Sequence, residues 1–229
     1  IASASGFIGH AQDIENTTIR FTDCENHGDI TIDGSGAITA GGFIGTVVAE
    51  TSSMIILEGS ANYGDITHQS GNSSIYACGL IGNVDIASFA INRTITLTEC
   101  LNFGNINVHD DVKKLPGQYC CGFVHFEEMV SYDNSVITSC INYGNITCNY
   151  ADVYGIARSK KNDFNLFNTV NKGTLQGNMT CAIGSNMTLM SNVANLGHVT
   201  GKNTNAAKLW DNVGDSANTF ALDGLCSYV

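Results

Sequence analysis

Two heptapeptides, CLNFGNI at residues 100–106 and CINYGNI at residues 140–146, are nearly identical and lie 40 residues apart. The pattern C-x-N-x-G-[DN]-I also occurs as CENHGDI from Cys24 and, with a serine in place of the cysteine, as SANYGDI from Ser60. A sequence that recurs with a period of roughly 20 to 50 residues is the signature of a chain folded as stacked repeats. Two degenerate copies are TVNKGTL from Thr169 and VANLGHV from Val193.

A second short element, a glycine followed by an apolar pair, precedes every copy. From its first residue to the asparagine the distances are 20, 20, 23, 20, 16 and 13 residues, while consecutive asparagines are separated by 36, 40, 40, 29 and 24 residues. The repeats therefore become shorter toward the C-terminus. The element occurs as GFIG at Gly6 and Gly42, GLIG at Gly79, GFVH at Gly122, GIAR at Gly155 and AIGS at Ala182.

Between these elements apolar, mainly β-branched residues alternate with polar ones, as in Ile30-Thr31-Ile32. Alternation with a period of two, broken by Gly and Asn, indicates short strands joined by tight corners. We therefore predict an all-β fold: a parallel β-solenoid (β-helix) of about six degenerate repeats, with three strands per coil and coils that shorten toward the C-terminus. The solenoid domain is predicted over 1–210. Residues 211–229 match no repeat and are predicted to cover the last coil as a C-terminal cap.

Equivalent residues of a parallel solenoid form columns, because successive coils lie about 4.8 Å apart. The asparagines are predicted to form a structural amide ladder at one corner, and the glycines two residues later to allow positive φ or close backbone approach. Two columns of small buried cysteines are expected as well, one with Cys24, Cys100 and Cys140 and one with Cys78, Cys121 and Cys181. The predicted ladder consists of Asn26, Asn62, Asn102, Asn142, Asn171 and Asn195.

Rings are expected in a further column, between the asparagine and the glycine. If they point outward, they form an aromatic contact stripe suited to a sugar or a protein. The alternative is a ladder of rings that only seals the corner. The four residues are His27, Tyr63, Phe103 and Tyr143.

The glycine-led elements are predicted to supply the core, with one inward residue from each apolar pair, since strand side chains alternate between the two faces. The pairs are Phe7 and Ile8, Phe43 and Ile44, Leu80 and Ile81, and Phe123 and Val124.

The repeats resemble the GLUG-motif repeats of surface and adhesin-like proteins, over roughly residues 2–205. Gly79-Leu80-Ile81-Gly82 is the copy most similar to the tetrapeptide that names the motif, and the copies after Gly122 depart from it. The resemblance implies a non-catalytic structural repeat domain, extracellular or on the cell surface, that acts as a spacer, an adhesive segment or an assembly module.

Composition excludes some partners. The formal net charge is -11, and residues 1–112 carry thirteen acidic residues against only Arg20 and Arg93. Such a chain is not expected to bind nucleic acid or an anionic membrane. No apolar run approaches the roughly 20 residues of a membrane-spanning helix, so membrane insertion is not expected. The chain opens without Met or a leader, which suggests a processed product or an excised piece.

Cofactor and metal sites are not expected. The nine cysteines include no Cys-x₂-Cys pair of the kind that binds zinc, and the six histidines share no column. The turn around Asp33-Gly34 is only faintly similar to a calcium-binding nonapeptide and is not repeated in tandem. Most cysteines are therefore interpreted as buried free thiols, and the candidate disulfide joins Cys120 to Cys148.

The rival hypothesis is a carbohydrate-active parallel β-helix enzyme, similar to a polysaccharide lyase or glycosidase. It would require three or more charged side chains converging in one groove. The acidic doublets are Asp110-Asp111 and Glu127-Glu128, with Lys113-Lys114 nearby. We expect the Asp110–Lys114 segment to be a solvated loop, and no catalytic residue is assigned.

Secretion would be compatible with the six N-x-S/T sequons, although so many Asn, Ser and Thr residues produce several by chance. The candidate glycosylation sites are Asn16, Asn72, Asn92, Asn145, Asn178 and Asn186. A solenoid that ends leaves unpaired strand edges. Further repeats of the same polypeptide or a protein partner are therefore expected at the N-terminal edge, and glycans are further candidate partners.

Overall fold

The structure is a computed structural model that describes residues 2–34, 36–69, 74–86, 92–109, 117–127, 134–160, 164–202, 207–221 and 226–228. Every regular element in this part of the chain is a β-strand. The candidate glycosylation site Asn72, the Asp110–Lys114 segment and Glu128 lie outside the described residues. The described ranges contain no helix, and therefore no helix that could cross a membrane.

The strands follow one another as seven coils. Coil 1 contains β1 (Ala2–Ser5), β2 (Ile8–Ile14), β3 (Thr18–Thr22), β4 (Glu25–Asn26) and β5 (Ile30–Ile32). Coil 2 contains β6 (Ile38–Gly41), β7 (Ile44–Ala49), β8 (Met54–Glu58), β9 (Ala61–Asn62) and β10 (Ile66–His68). Coil 3 contains β11 (Ile75–Cys78), β12 (Ile81–Ile86), β13 (Thr94–Thr98), β14 (Leu101–Asn102) and β15 (Ile106–Val108).

The later coils are shorter or have merged strands. Coil 4 contains β16 (Gln118–Cys121), β17 (Val124–Phe126), β18 (Ser135–Thr138), β19 (Ile141–Asn142) and β20 (Ile146–Cys148). Coil 5 contains β21 (Asp152–Tyr154), β22 (Ala157–Ser159), β23 (Phe164–Phe167), β24 (Val170–Asn171) and β25 (Leu175–Gly177). Coil 6 contains β26 (Thr180–Asn195) and β27 (Val199–Gly201), and coil 7 contains β28 (Ala207–Ala221) and β29 (Cys226–Tyr228).

Each strand pairs in parallel with the equivalent strand of the next coil, and the repeat positions are in register. Asn62 is aligned with Asn102, and Ile66 with Ile106. The predicted fold class, a parallel β-solenoid with coils that shorten toward the C-terminus, is therefore confirmed. The expectation of three strands per coil is wrong, because the described parts of coils 1 to 5 contain five strands each. Additional corners divide each long alternating stretch.

The C-terminal segment also differs from the sequence-based expectation. Strand β28 pairs in parallel with β26, with one register shift between Cys181 and Gly184, and β29 pairs with β27. The domain boundary drawn between residues 210 and 211 therefore falls inside one strand. Residues 207–221 and 226–228 stack as a seventh coil that lacks the repeat signature, with Ala221 aligned with Asn195. Backbone pairing with coil 6 holds this coil in place, although its side chains show no repeat from which the coil could be predicted.

The interior holds two clusters of buried apolar residues on either side of the coil. One contains Phe43, Leu80 and Phe123, and the other contains Ile66 and Ile106. The expectation of one inward residue per apolar pair is wrong, since both members of the pairs in coils 2, 3 and 4 are fully buried. The bend includes the glycine and the first apolar residue, and the next strand begins at the second one, so strand alternation does not apply between the two.

Close approach of successive coils explains the glycine that follows the asparagine. A Cβ atom at Gly104 would lie 2.0 Å from the carbonyl oxygen of Gly64, and the same contact occurs between Gly144 and Gly104. Neither residue has positive φ. Of the two reasons that the sequence left open for these glycines, close backbone approach is the one that applies.

Candidate functional site

The repeat asparagines lie side by side at one corner and form a continuous hydrogen-bonded ladder. Each Nδ2 donates one hydrogen to Oδ1 of the next asparagine along the chain, at 2.7 to 2.9 Å. The other hydrogen is donated to the carbonyl oxygen of the glycine two residues later in the same turn, as from Asn102 to Gly104 at 3.0 Å. The ladder contains all six predicted residues: Asn26, Asn62, Asn102, Asn142, Asn171 and Asn195.

The ladder joins the two sequence elements of the repeat. The first glycine of the glycine-led element lies against the asparagine amide, and a Cβ atom on Gly42 would be 2.5 Å from Asn62 Oδ1. All six asparagines are buried. A buried amide requires partners for both N–H groups and for its oxygen, and this arrangement supplies them from neighbours of fixed position. The corner is therefore ordered along the whole axis.

A second polar ladder lies one residue beyond the glycine, and the sequence analysis did not identify it. The side chain of Asp65 accepts a hydrogen bond from the backbone N–H of Asn105 at 2.7 Å, and Asn105 accepts one from the N–H of Asn145 at 3.1 Å. The same contact joins Asp29 to Asp65 and Asn145 to Thr174. The signal was present as the [DN] of the repeat, because both side chains carry the oxygen that this contact requires.

The cysteine column of the repeat has a hydrogen-bonding role that explains why Ser and Thr replace Cys there. Cys100 Sγ and Ser60 Oγ each donate to the carbonyl oxygen two residues earlier, at 3.3 and 3.0 Å. Cys140 and Thr169 donate in the same way. The residue just before each column member has positive φ in all of coils 1 to 6. It is a glycine, Gly59, in coil 2 and a non-glycine residue in the other five. Most of these thiols are therefore structural donors.

The aromatic column is outward-facing and stacked. Its ring centroids are 4.6, 4.9 and 4.8 Å apart from His27 through Tyr63 and Phe103 to Tyr143, with interplanar angles of at most 7°. The exposed fractions of Tyr63, Phe103 and Tyr143 are 39%, 37% and 37%. Each ring covers the faces of its neighbours, so the surface presents ring edges and hydroxyl groups. The flat platform that would stack on a sugar is not formed along the column.

Other side chains continue this column beyond the rings. The ammonium group of Lys172 lies 4.8 Å from the centre of the Tyr143 ring, and Leu196 in the following coil is 39% exposed. The exposed edge of the solenoid thus changes from aromatic to cationic to aliphatic over six coils. Such a half-exposed stripe is suited to contact with a protein surface.

Several charged side chains lie near one another in coils 4 and 5. Glu127 accepts a hydrogen bond from His125 Nε2 at 3.0 Å and forms an ion pair with Lys160. The Arg158 guanidinium lies 3.6 Å from the centre of the Tyr119 ring, and His125 is aligned with Arg158 in the parallel pairing. We call these five residues the His125 cluster.

Burial and hydrogen bonding together determine the charges of this cluster. The His125 ring is completely buried, which lowers its pKa from 6.5 to about 4, even though the hydrogen bond to Glu127 favours the charged form. Burial alone would raise the pKa of Glu127, but the hydrogen bonds from His125 and Lys160 outweigh it and bring the pKa to about 2. Burial and the nearby Glu127 raise the pKa of Tyr76, whose ring stacks on His125. At neutral pH His125 is therefore neutral and Glu127 is ionised.

Catalysis by this cluster is not favoured by its geometry. A general base must come within hydrogen-bonding distance of the proton that it removes. His125 Nδ1, the ring nitrogen not engaged with Glu127, has no exposed surface and no hydrogen-bond partner among the described residues. Its low pKa also makes it a weak base at neutral pH.

The candidate disulfide residues lie next to each other in the interior. Cys120 Sγ and Cys148 Sγ are 2.8 Å apart, and both residues are buried free thiols. Cys78, Cys121 and Cys181 form a separate buried cluster with Tyr154. The described residues contain no group of three or more His, Cys, Asp or Glu side chains that could hold a metal ion.

The candidate glycosylation sites differ in accessibility. Asn16, Asn92 and Asn145 are exposed. The Asn178 amide donates to Asp152 at 2.9 Å, and the Asn186 amide donates to the carbonyl oxygen of Ser159. Transfer of a glycan requires a free amide nitrogen on the surface, so the first three sites are the better candidates.

Comparison of this chain with protein-family models, with curated proteins and with solved structures returned no match. The architecture and the ladders therefore define its class: a parallel β-solenoid built on stacked asparagine corners.

Proposed function

We propose that this chain is a non-catalytic, extracellular or surface-associated structural repeat domain that acts as a spacer, adhesive or assembly module. The observation that carries the proposal is the asparagine ladder, which runs without a break from coil 1 to coil 6. Its amides are buried and fully hydrogen-bonded, and such networks rigidify a structure. Each coil is therefore held at a fixed position relative to the next, as a spacer requires.

The N-terminal edge supports the assembly part of the proposal. Strands β1 to β5 pair only with coil 2, so one side of their backbone is without a strand partner within the described ranges. Phe7 is 48% exposed, whereas Phe43, which stacks on it at 5.0 Å, is fully buried. Unpaired strand edges with exposed apolar groups favour pairing with another chain. The partner is a further coil of the same polypeptide or another protein.

Surface location and contact with glycans rest on two features. The repeats resemble those of surface and adhesin-like proteins, and three exposed sequons are available at Asn16, Asn92 and Asn145. Antibody staining of intact and permeabilised source cells tests the location. Staining of permeabilised cells only would contradict it.

Sedimentation velocity over a range of concentrations tests whether the chain associates through the N-terminal edge of coil 1. We expect the wild-type chain to associate, and the variant Phe7→Glu to remain monomeric because a buried carboxylate at the new interface is unfavourable. Leu189→Glu is the matched control, since Leu189 is 42% exposed but lies on the side of coil 6. A wild-type chain that stays monomeric at high concentration, with the amides of coil 1 protected from hydrogen exchange, would show that the edge is self-sufficient.

The second candidate function is that of a carbohydrate-active enzyme, and one observation favours it. Glu127, Arg158 and Lys160 lie around His125, so three charged groups are near one another; the criterion also requires that they line one groove. Release of unsaturated or reducing ends from acidic and neutral polysaccharides measures such activity. The proposed structural role requires no release; turnover that disappears in Arg158→Ala but persists in Lys172→Ala would overturn that role and establish the enzyme.

A further inference from the structure

In each of coils 3 to 5, two interior positions face each other across the apolar cluster that contains Ile66 and Ile106. In coil 5 they are Val153 and Gly177, where a Cβ atom added to the glycine would lie 2.5 Å from Val153 Cγ2. Parallel pairing aligns Val153 with Cys120, and the pairing of β20 with β25 places Gly177 at the position of Cys148. The two cysteines of coil 4 therefore occupy positions whose side chains point directly at each other.

Coil 4 is the described coil that has sulfur at both positions. Coil 3 has Ala77 and Val108 there, aligned with Cys120 and Cys148. In coil 4 the two Sγ atoms are 2.8 Å apart. A disulfide bond is about 2.05 Å long, so bond formation needs an approach of less than about 1 Å.

The thiols of this pair also differ from those of the repeat column in their hydrogen bonds. Cys100 Sγ donates to the carbonyl oxygens of Leu57 and Thr98, and Cys140 Sγ donates to that of Thr138. Those two thiols lie in one column, where their side chains also hydrogen-bond to each other. Cys120 and Cys148 come from different sheets, and Cys148 Sγ donates to Cys120 Sγ.

From these contacts we infer that Cys120 and Cys148 form an intrachain disulfide when the chain folds in the presence of a small-molecule disulfide such as oxidised glutathione. The thiolate of one cysteine attacks the glutathione disulfide and releases one reduced glutathione. The second cysteine then attacks the mixed disulfide and releases the other. The protein loses two hydrogens, and the two electrons reduce the glutathione disulfide to two thiols.

We expect the thiol–disulfide exchange to occur while the chain folds and not in the folded chain. Both sulfurs are buried, and burial raises the pKa of the Cys120 thiol. The thiolate is the reactive species, so the folded reduced chain should exchange slowly. The bond, once formed, ties the sheet of β16 to the sheet of β20.

The test is refolding of the reduced, denatured chain in a buffer of reduced and oxidised glutathione, followed by alkylation under denaturing, non-reducing conditions and peptide mapping. We expect Cys120 linked to Cys148, with Cys100 and Cys140 alkylated as the matched control pair. Alkylation of both Cys120 and Cys148, or a link from Cys148 to the neighbouring Cys121, would overturn the inference. Fragment spectra and the variant Cys121→Ser distinguish the two adjacent residues.

A stability measurement gives an independent readout. The urea midpoint of the oxidised wild-type chain should fall when a reductant is added. The variant Cys120→Ala, Cys148→Val reproduces the pair of coil 3 and should show the same midpoint with and without reductant. A midpoint of the wild-type chain that does not respond to reductant would contradict the bond, and the peptide map decides the matter even if the variant does not fold.

Discussion

Each of the four inner ladder asparagines uses both N–H groups and its oxygen, so its side chain has no equivalent among the other amino acids. Aspartate lacks the donors, and glutamine is too long to reach the glycine carbonyl of its own turn. In the column beside it Cys, Ser and Thr each supply one donor, directed at the carbonyl oxygen two residues earlier, and Val193 of coil 6 shows that the position also accepts a small apolar residue. The number of contacts required therefore determines how variable each position of the repeat is.

Replacement of the central ladder residue should be costly. Asn102→Ala removes the amide and leaves Asn62 Nδ2, Asn142 Oδ1 and the Gly104 carbonyl without their partner. Since each unsatisfied buried group costs about 1 to 3 kcal/mol, we expect a loss of about 3 to 5 kcal/mol in the free energy of unfolding. Urea unfolding measures it. The control Asn107→Ala, a half-buried residue of β15, should change stability by less than about 1 kcal/mol.

Acid should destabilise the fold through His125. Its pKa is about 4 in the folded chain and about 6.5 when unfolded, so the unfolded state binds the proton first as pH falls. The free energy of unfolding should therefore decrease between about pH 6.5 and pH 4. The lowered pKa of Glu127 acts in the same direction between about pH 4.5 and pH 2.

The variant His125→Gln tests this pH dependence. It should flatten the decrease between about pH 6.5 and pH 4, measured by urea unfolding at several pH values. Tyr76, Glu127, Arg158 and Lys160 surround the ring and are left in place. His10→Gln, at an exposed position of β2, is the control and should keep the wild-type slope. An unchanged slope in His125→Gln would mean that other groups cause the acid sensitivity.

At the scale of the elements, the glycine-led corner places two apolar residues in the core where a strand would place one. Phe43 and Ile44 are both fully buried, because Phe43 lies in the bend and Ile44 begins strand β7. In coil 1 the equivalent Phe7 is half exposed, since no coil covers it on its outer side among the described residues. The same sequence element therefore contributes less to the free energy of unfolding in the first coil than in the central coils.

Truncation of the corner aromatic should follow that difference. Phe43→Ala or Phe123→Ala should lower the free energy of unfolding by about 3 to 5 kcal/mol, as is usual for a buried phenylalanine. Phe7→Ala, with 48% of the residue already exposed, should cost less than half as much. Urea unfolding under identical conditions compares the three variants. A loss of under about 1 kcal/mol for both central variants would contradict the assigned core.

At the scale of the molecule, the two ends of the solenoid are not alike. The ladder has a direction: Asn26 Oδ1 at the N-terminal end accepts from no asparagine among the described residues, and Asn195 Nδ2 at the other end donates to Gly197. Ala221 of coil 7 follows Asn195 in register and cannot continue the ladder. Coil 7 therefore ends the side-chain ladder while it continues the backbone pairing.

Removal of coil 7 should turn the chain into a head-to-tail oligomer. Deletion of residues 207–229 leaves a ladder donor at Asn195 and a ladder acceptor at Asn26, together with unpaired strands at both ends. Because such heterologous contacts do not close, light scattering should show oligomers that grow with concentration. Asn26→Ala in the truncated chain should reduce this growth. A truncated chain that associates no more strongly than the full chain would contradict the capping role of coil 7.

The sequence by itself determined the solenoid, the register of six coils and the asparagine ladder, because these features depend on short residue patterns that repeat at each coil. Only the tertiary structure decided what lies between distant parts of one coil or has no repeat. The burial of His125 beside Glu127 and the seventh coil belong to this group, whereas the pairing of Cys120 with Cys148 was a candidate from the sequence and the structure places the two sulfurs in contact. The physical reason is that both features depend on contacts between non-equivalent positions and on backbone pairing, which leave no periodic pattern in the side chains.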